Sequence, residues 1–198
     1  MNEGVIKFVY EWKKKHLPEK KNISELILYR NKLYNDGLIG ADKDGTGYGN
    51  ISLRYGYTGK FIISGSDTGR IKTAGKNHFT LVNSVNVKKN LVYCTGMKVA
   101  SSESMTHFIM YDLSREINCV IHVHNLRLWK ALLNKVPTTS KNISYGSSAI
   151  VQEIIKLWQN SDLREKKIVV MNGHIGGLIV FGKSIKDVYN LLIDYLSA

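Results

Sequence analysis

The sequence predicts an α/β (α+β) single domain with a central, mostly antiparallel β-sheet flanked by helices. Three observations carry that prediction. Short runs rich in β-branched residues, bounded by glycine or asparagine, recur through the middle of the chain and again near its end. Around them lie segments whose apolar residues return every three to four positions behind polar starts. The 198 residues, 43% apolar and 22% charged, suit one core of ordinary composition, with no internal repeat or linker.

The elements follow in order. Residues 1–21 read as an N-terminal helical extension, because Val5, Ile6, Phe8, Val9 and Trp12 fall at helical spacing ahead of Lys13-Lys14-Lys15 and Pro18. Asn22 with Glu25 resembles a capping pair opening a helix through SELILYRNKLYND, and Gly37 is placed to cap its end. The glycine-rich loop GADKDGTGYGN leads into four strand-like runs, ISLRYG, KFIISGS, FTLVNSV and KNLVYC. SSESMTHFIMYDLSRE has a helix-starting Ser-Ser-Glu and an apolar face of Met105, Phe108, Ile109, Tyr111 and Leu113. NCVIHVHN is a strand and LRLWKALLNKV a helix; SSAIVQEIIKLWQ is a second helix, after Pro137. KKIVVMNG and GGLIVFG are strands, and a last helix runs from Ser184, with Asp187 at the capping-box position, to Leu196.

Composition narrows the function classes. No run of about 18 apolar residues exists to span a membrane. In MNEGVIKFVYEWKKKHL the charges follow the apolar residues, the wrong order for a secretory signal, so a cytoplasmic location is expected. Cys94 and Cys119 form no spacing motif and read as free thiols of a reducing compartment. The net charge of +12 fits nucleic acid, a small anionic substrate or plain solvated surface. The lysine runs at 13–15 and 20–21 lack interleaved aromatics, and no zinc-finger, RRM or helix-turn-helix pattern is present, which disfavours nucleic acid.

The histidines are the most informative residues. His122 and His124 lie two apart in a strand, so both imidazoles leave the same face. Two adjacent buried imidazoles each need a polar partner, and a metal ion serves both. His-x-His alone is a weak motif. His174, in NGHIGG, is a third candidate ligand, its flanking glycines allowing a sharp turn; alone it reads equally as a loop histidine in water. Three neutral histidines with an open position fit a catalytic zinc site. Glu103 sits at a helix start, where its carboxylate is either an ordinary acidic first turn or a functional acid beside Ser101 and Ser102. His107, one turn on, shares its face and either orients Glu103 or packs. The loops Gly49-Asn50 and Ser64-Gly65-Ser66-Asp67-Thr68-Gly69 are amide-rich turns that either close hairpins or cradle an anion, although Asp67 adds an opposing charge.

Taken together and in order, GNISLR, ISGSDTG, SSE-x-x-x-H, H-x-H and NGH before GLIVFG resemble the class II aldolase/adducin family. That family includes fuculose-phosphate and rhamnulose-phosphate aldolases, ribulose-phosphate 4-epimerase and methylthioribulose-phosphate dehydratase. The resemblance runs from about Glu25 to the C-terminus. It implies His122, His124 and His174 as zinc ligands, other transition metals being alternatives, and Glu103 as catalytic acid/base. Asn50, Ser66, Ser101 and Ser102 match substrate phosphate-holding positions, and Tyr145, in YGSS, matches a tyrosine-bearing loop that implies a proton donor. The implied function is a zinc-dependent lyase of carbohydrate metabolism, cleaving a C–C bond of a small hydroxy-carbonyl compound such as a sugar phosphate through a metal-stabilised enediolate. An epimerase, a dehydratase or a non-catalytic adducin-like interaction module are the alternatives. The implied assembly is a homotetramer. The segment between His124 and His174 is short beside the sugar-phosphate aldolases, so a different lid over the site is expected.

Overall fold

The computed structural model describes residues 5–18, 23–56 and 58–197. The Asn22 half of the expected capping pair, and Lys20-Lys21, lie outside the described residues. Ten strands and six helices follow in chain order: β1 (Val9–Lys14), α1 (Ile23–Asn35), β2 (Gly40–Ala41), β3 (Gly47–Tyr48), β4 (Asn50–Arg54), β5 (Phe61–Ser64), β6 (Phe79–Asn86), β7 (Leu91–Gly96), α2 (Ser104–Leu113), β8 (Cys119–His124), α3 (Leu126–Leu132), α4 (Ser148–Asn160), α5 (Leu163–Lys166), β9 (Ile168–Val170), β10 (Gly177–Gly182) and α6 (Ile185–Ser197). Eight strands form one sheet in the order β1-β7-β6-β5-β4-β8-β10-β9. Every pairing is antiparallel except β1 with β7, as a mostly antiparallel sheet requires. The glycine-rich loop before β4 contains a small separate hairpin, β2–β3.

Helices cover both faces, and strand alternation decides which side chains meet them. Ile51, Leu53, Ile121, Val123, Leu178 and Val180 point to one layer, with Leu26 and Leu33 of α1, Leu128 of α3 and Val188 and Leu192 of α6. Phe61, Ile63, Val120, Ile179 and Phe181 point to the other, with Met105 and Ile109 of α2 and Ile150 and Ile154 of α4. Cys119 belongs to the first layer and Cys94 to the second, and both thiols are free and buried. Helix ends follow the expected chemistry: Gly37 N–H bonds the Tyr34 carbonyl (3.0 Å) and Leu38 N–H the Leu33 carbonyl (2.9 Å), closing α1 in a Schellman motif. Ser184 Oγ accepts from Asp187 N–H (3.1 Å) at the start of α6.

The expected N-terminal helix is corrected. Residues 9–14 are an exposed edge strand pairing in parallel with β7, Val9 opposite Leu91 through Lys14 opposite Gly96. Val9, Tyr10 and Trp12 are β-formers, and Phe8, Tyr10 and Trp12 alternate as a strand does, so the helical spacing was a coincidence of a short window. The unpaired edge of β7 supplies backbone partners, and Trp12 Nε1 adds a bond to the Gly96 carbonyl (2.9 Å).

Arg54 ties β4 to the end of α2, donating to the carbonyls of Ile117 (2.8 Å), Tyr111 (2.7 Å) and Ser114 (2.7 Å). Arg54→Ala is expected to lower the unfolding free energy by about 3 kcal/mol, the scale of hydrogen bonds to a charged group whose acceptors are left unmade. Urea denaturation measures it; a loss below about 1 kcal/mol would mean that water replaces the guanidinium at these carbonyls.

Candidate metal centre and active-site cleft

The alternation that fills the two layers also places the polar residues. On β8, Ile121 and Val123 face the first layer, so His122 and His124 face the second. On β4, Asn50 and Ser52 share that face, and Asn50 lies directly opposite His122 across the ladder. Gly177 of β10 lies opposite His124. The β9–β10 turn brings in His174: its N–H bonds the Met171 carbonyl (3.0 Å), and Gly177 N–H returns to the His174 carbonyl (2.8 Å). Gly177 is needed for space, since a Cβ there would stand 2.5 Å from His174 Cδ2.

The three rings converge. His124 Nε2 lies 3.2 Å from His122 Nε2 and 3.0 Å from His174 Nε2. His122 Nδ1 donates to the Leu178 carbonyl (3.1 Å), which fixes its tautomer and leaves Nε2 as a bare lone pair facing the other rings. A proton on His124 Nε2 leaves one hydrogen to share between its two contacts. A cation satisfies all three at once. The nitrogen spacings suit donors about one small ion with bonds of about 2.0–2.1 Å, so the residues fit a divalent metal. Burial, then the neighbouring imidazoles, depress these histidines: His174 to about 2 and His124 well below the ordinary value, while burial takes His122 to about 4. All three are neutral at pH 7, the ligating form.

Glu103 approaches from α2. Its carboxyl does not cap that helix; it is buried, with Oε2 accepting from Thr106 Oγ1 (2.5 Å) and Oε1 without a partner among the described residues. Burial raises its pKa to about 7, opposed by the Thr106 bond and the Lys7 ammonium. Asn50 Oδ1 is a second buried acceptor without a described partner. Asn50, Ser66, Ser101, Ser102, Glu103, His122, Tyr145 and His174 line one cleft of about 360 Å³ including its mouth, and His124 stands against two of them. The Tyr145 ring packs on His174 with centroids 4.5 Å apart. Asp67, the unfavourable charge in the loop, is engaged by Arg70 (2.7 Å) at the surface.

Sequence reading missed several residues around the cleft. Tyr48 packs on His124 (centroids 5.2 Å) and lines the cleft. Lys7, carried in ahead of β1, places its ammonium 3.6 Å from the Tyr145 ring centroid and 3.2 Å from Ser144 Oγ. No local pattern announces that long-range contact. Thr106 was findable from its i+3 spacing to Glu103. Behind the cleft, Ser52 Oγ bonds His107 Nδ1 (2.7 Å) and Tyr111 Oη (2.6 Å), a buried network that the period of two from Asn50 would have placed. His107 therefore does not orient Glu103 through its Nδ1.

A family model, the Class II Aldolase and Adducin N-terminal domain, matches residues 31–196. Among solved structures, an L-fuculose 1-phosphate aldolase superposes with a TM-score of 0.67 at 18% identity, covering 92% of this chain and 84% of its own. YgbL from Klebsiella pneumoniae, a candidate aldolase/epimerase/decarboxylase, gives 0.66 at 15% identity over 90% and 86%. An L-fuculose 1-phosphate aldolase from Glaciozyma antarctica gives 0.55 at 16% over 91% and 76%. These likenesses establish the fold. No curated protein sequence matches. No helix among the described residues is long and apolar enough to cross a membrane.

Because Glu103 titrates near 7 when folded and near 4.5 when unfolded, the stability tied to its neutral form is complete below pH 4.5 and lost as pH rises through 7. In chelator, Glu103→Gln is expected to match the unsubstituted protein at pH 4 and exceed it by about 3 kcal/mol at pH 8. Acid protonation of the histidines weakens both proteins alike, so the difference between their urea midpoints isolates Glu103. A pH-independent difference would contradict its burial as an acid.

Proposed function

The chain belongs to the class II aldolase and adducin family, and from that premise we propose that it is a divalent-metal-dependent lyase. It cleaves a C–C bond in a small hydroxy-carbonyl compound, with a phosphorylated sugar as the substrate class. The observation that carries this reading is the convergence of three histidine Nε2 atoms beside a buried carboxyl with one oxygen unpartnered. His122, His124 and His174 would hold the ion, with zinc the expected metal for a three-nitrogen set. Such an ion supplies a Lewis acid that polarises a carbonyl and stabilises negative charge developing on its oxygen.

The chain's own residues do the rest. Glu103 Oε2 is pinned by Thr106, so Oε1 is the atom aimed at the bound compound. A carboxyl poised near neutral pH takes a proton from a hydroxyl or carbon and returns it within one turnover. Asn50 and the hydroxyls of Ser66, Ser101 and Ser102 orient the compound and its anionic group. Tyr145, packed against His174, is assigned the second proton transfer, to the departing fragment. The low pKa values of the histidines keep protons from competing with the ion at neutral pH. A homotetrameric assembly and a cytoplasmic site of action complete the reading.

Epimerisation or dehydration could begin from the same proton removal, so product identity separates them. A purely structural, adducin-like role is disfavoured by the two unpartnered acceptors, which burial makes costly unless a ligand meets them. Protein purified without chelator is expected to carry one divalent ion per chain by elemental analysis. His174→Ala should lose it, while Glu103→Gln should keep it and lose turnover by about 10²-fold or more. NMR of products across a panel of ketose phosphates should show two fragments. An epimer or a dehydrated product would replace the lyase assignment, and unchanged metal content in His174→Ala would overturn the site.

A further inference from the structure

Lys7 lies just ahead of β1, outside the residues 31–196 that the family model covers. Its backbone is clamped to the sheet edge. Asn90 Nδ2 donates to the Lys7 carbonyl (2.7 Å), Val9 N–H donates to the Asn90 carbonyl (2.9 Å), and the β1–β7 ladder starts there. On either side of Lys7, Ile6 and Phe8 pack into the second layer. The sheet edge therefore sets where this side chain begins, independently of what its ammonium meets.

That ammonium is half-buried and pairs with no carboxylate among the described residues. It donates to Ser144 Oγ (3.2 Å) and stands 3.6 Å from the centroid of the Tyr145 ring. Burial lowers its pKa, opposed by the Glu103 carboxylate. A surface lysine ordinarily keeps its charged end in water and buries only its stem. Here the charged end is turned onto an aromatic ring. The ring belongs to the cleft wall: Tyr145 is buried, lines the cleft and packs on His174. Its loop has little slack, because Gly146 has a φ of +63° and leaves no room for a Cβ against the Ser102 carbonyl. Residues 144–146 thus lie against the Ser101-Ser102-Glu103 turn and carry the ammonium of a distant strand.

We propose that Lys7 is a positioning residue for Tyr145, delivered to the cleft wall by the N-terminal strand. It seats the ring by cation–π attraction and holds Ser144 beside it. When Tyr145 passes its hydroxyl proton to the departing fragment, the O–H electron pair stays on the phenol oxygen. The nearby ammonium offsets that charge, an interaction stronger in the transition state than before it. It therefore raises turnover without tightening substrate binding. The inference rests on the proton-donor assignment of Tyr145. It makes the strand ahead of α1 part of the catalytic apparatus as well as an extension of the sheet.

A double-mutant cycle of Lys7→Met and Tyr145→Phe tests it, on the metal-loaded full chain and the ketose phosphate that it cleaves in the product panel. Lys7→Met is expected to lower kcat about fivefold, with KM within about twofold and metal content unchanged. Lys7→Arg keeps a cation for the ring and should restore kcat to within about twofold. In the Tyr145→Phe background, Lys7→Met should cost nothing further. In ¹³C-tyrosine-labelled protein, Lys7→Met should shift the Tyr145 ring signals without any substrate present. Should Lys7→Met lose its melting transition, Lys7→Gln takes its place in the cycle. Equal losses in both backgrounds, a raised KM with unaltered kcat, or unmoved Tyr145 ring signals overturn the proposal. The ammonium would then act on Glu103 or on the substrate directly. Undiminished kcat in Tyr145→Phe removes the proton-donor assignment and the proposal with it, while the metal centre and Glu103 stand. No cleavage of any panel member removes the lyase reading itself, and the proposal falls with it.

Discussion

Two nitrogen contacts and one proton to share between them is the constraint around which the site is organised. His124 Nε2 lies within 3.2 Å of two other ring nitrogens, and the Leu178 carbonyl has already claimed the proton of His122. Neutral rings have one proton to share between the two contacts, and burial disfavours a positive cluster. A cation accepts the lone pairs of all three rings at once. Other features serve to keep the rings in place: the β8–β10 register that sets Gly177 opposite His124, the turn that delivers His174, and the ladder that sets Asn50 beside His122.

The sheet can sustain such a cluster because both of its faces are packed. The first layer is apolar under α1, α3 and α6, so the strands stay registered even where the second layer turns polar. On that second face, apolar packing under α2 and α4 gives way to Ser52, which bonds both His107 and Tyr111, and then to the histidines and Glu103. Ser52 Oγ, Tyr111 Oη and His107 Nδ1 are paired there, while His107 Nε2 and, at the cleft, Glu103 Oε1 and Asn50 Oδ1 have no partner among the described residues. The two cleft-lining acceptors mark where a ligand completes the structure.

Much of this was legible in the residues themselves. A period of two made His122 and His124 neighbours, and strand boundaries at glycine and asparagine located the sheet, because both depend on local geometry. The order of the motifs led to the family. Val5 to Trp12 misled, since a short apolar window fits a helix or a strand and only the vacant edge of β7 decides between them. Lys7 gave no signal at all. Its contacts are with Ser144 and Tyr145, far along the chain, and a lone lysine in sequence looks like solvated surface. Asp67 looked like an obstacle to an anion until Arg70 was seen to engage it.

X-ray absorption at the metal edge of the loaded protein tests the central claim most directly. Convergence of His122, His124 and His174 predicts three imidazole nitrogens at about 2.0–2.1 Å, with the remaining scatter from light oxygen atoms. Sulfur scattering at about 2.3 Å, or a first shell of oxygens with fewer than three imidazoles, would contradict it.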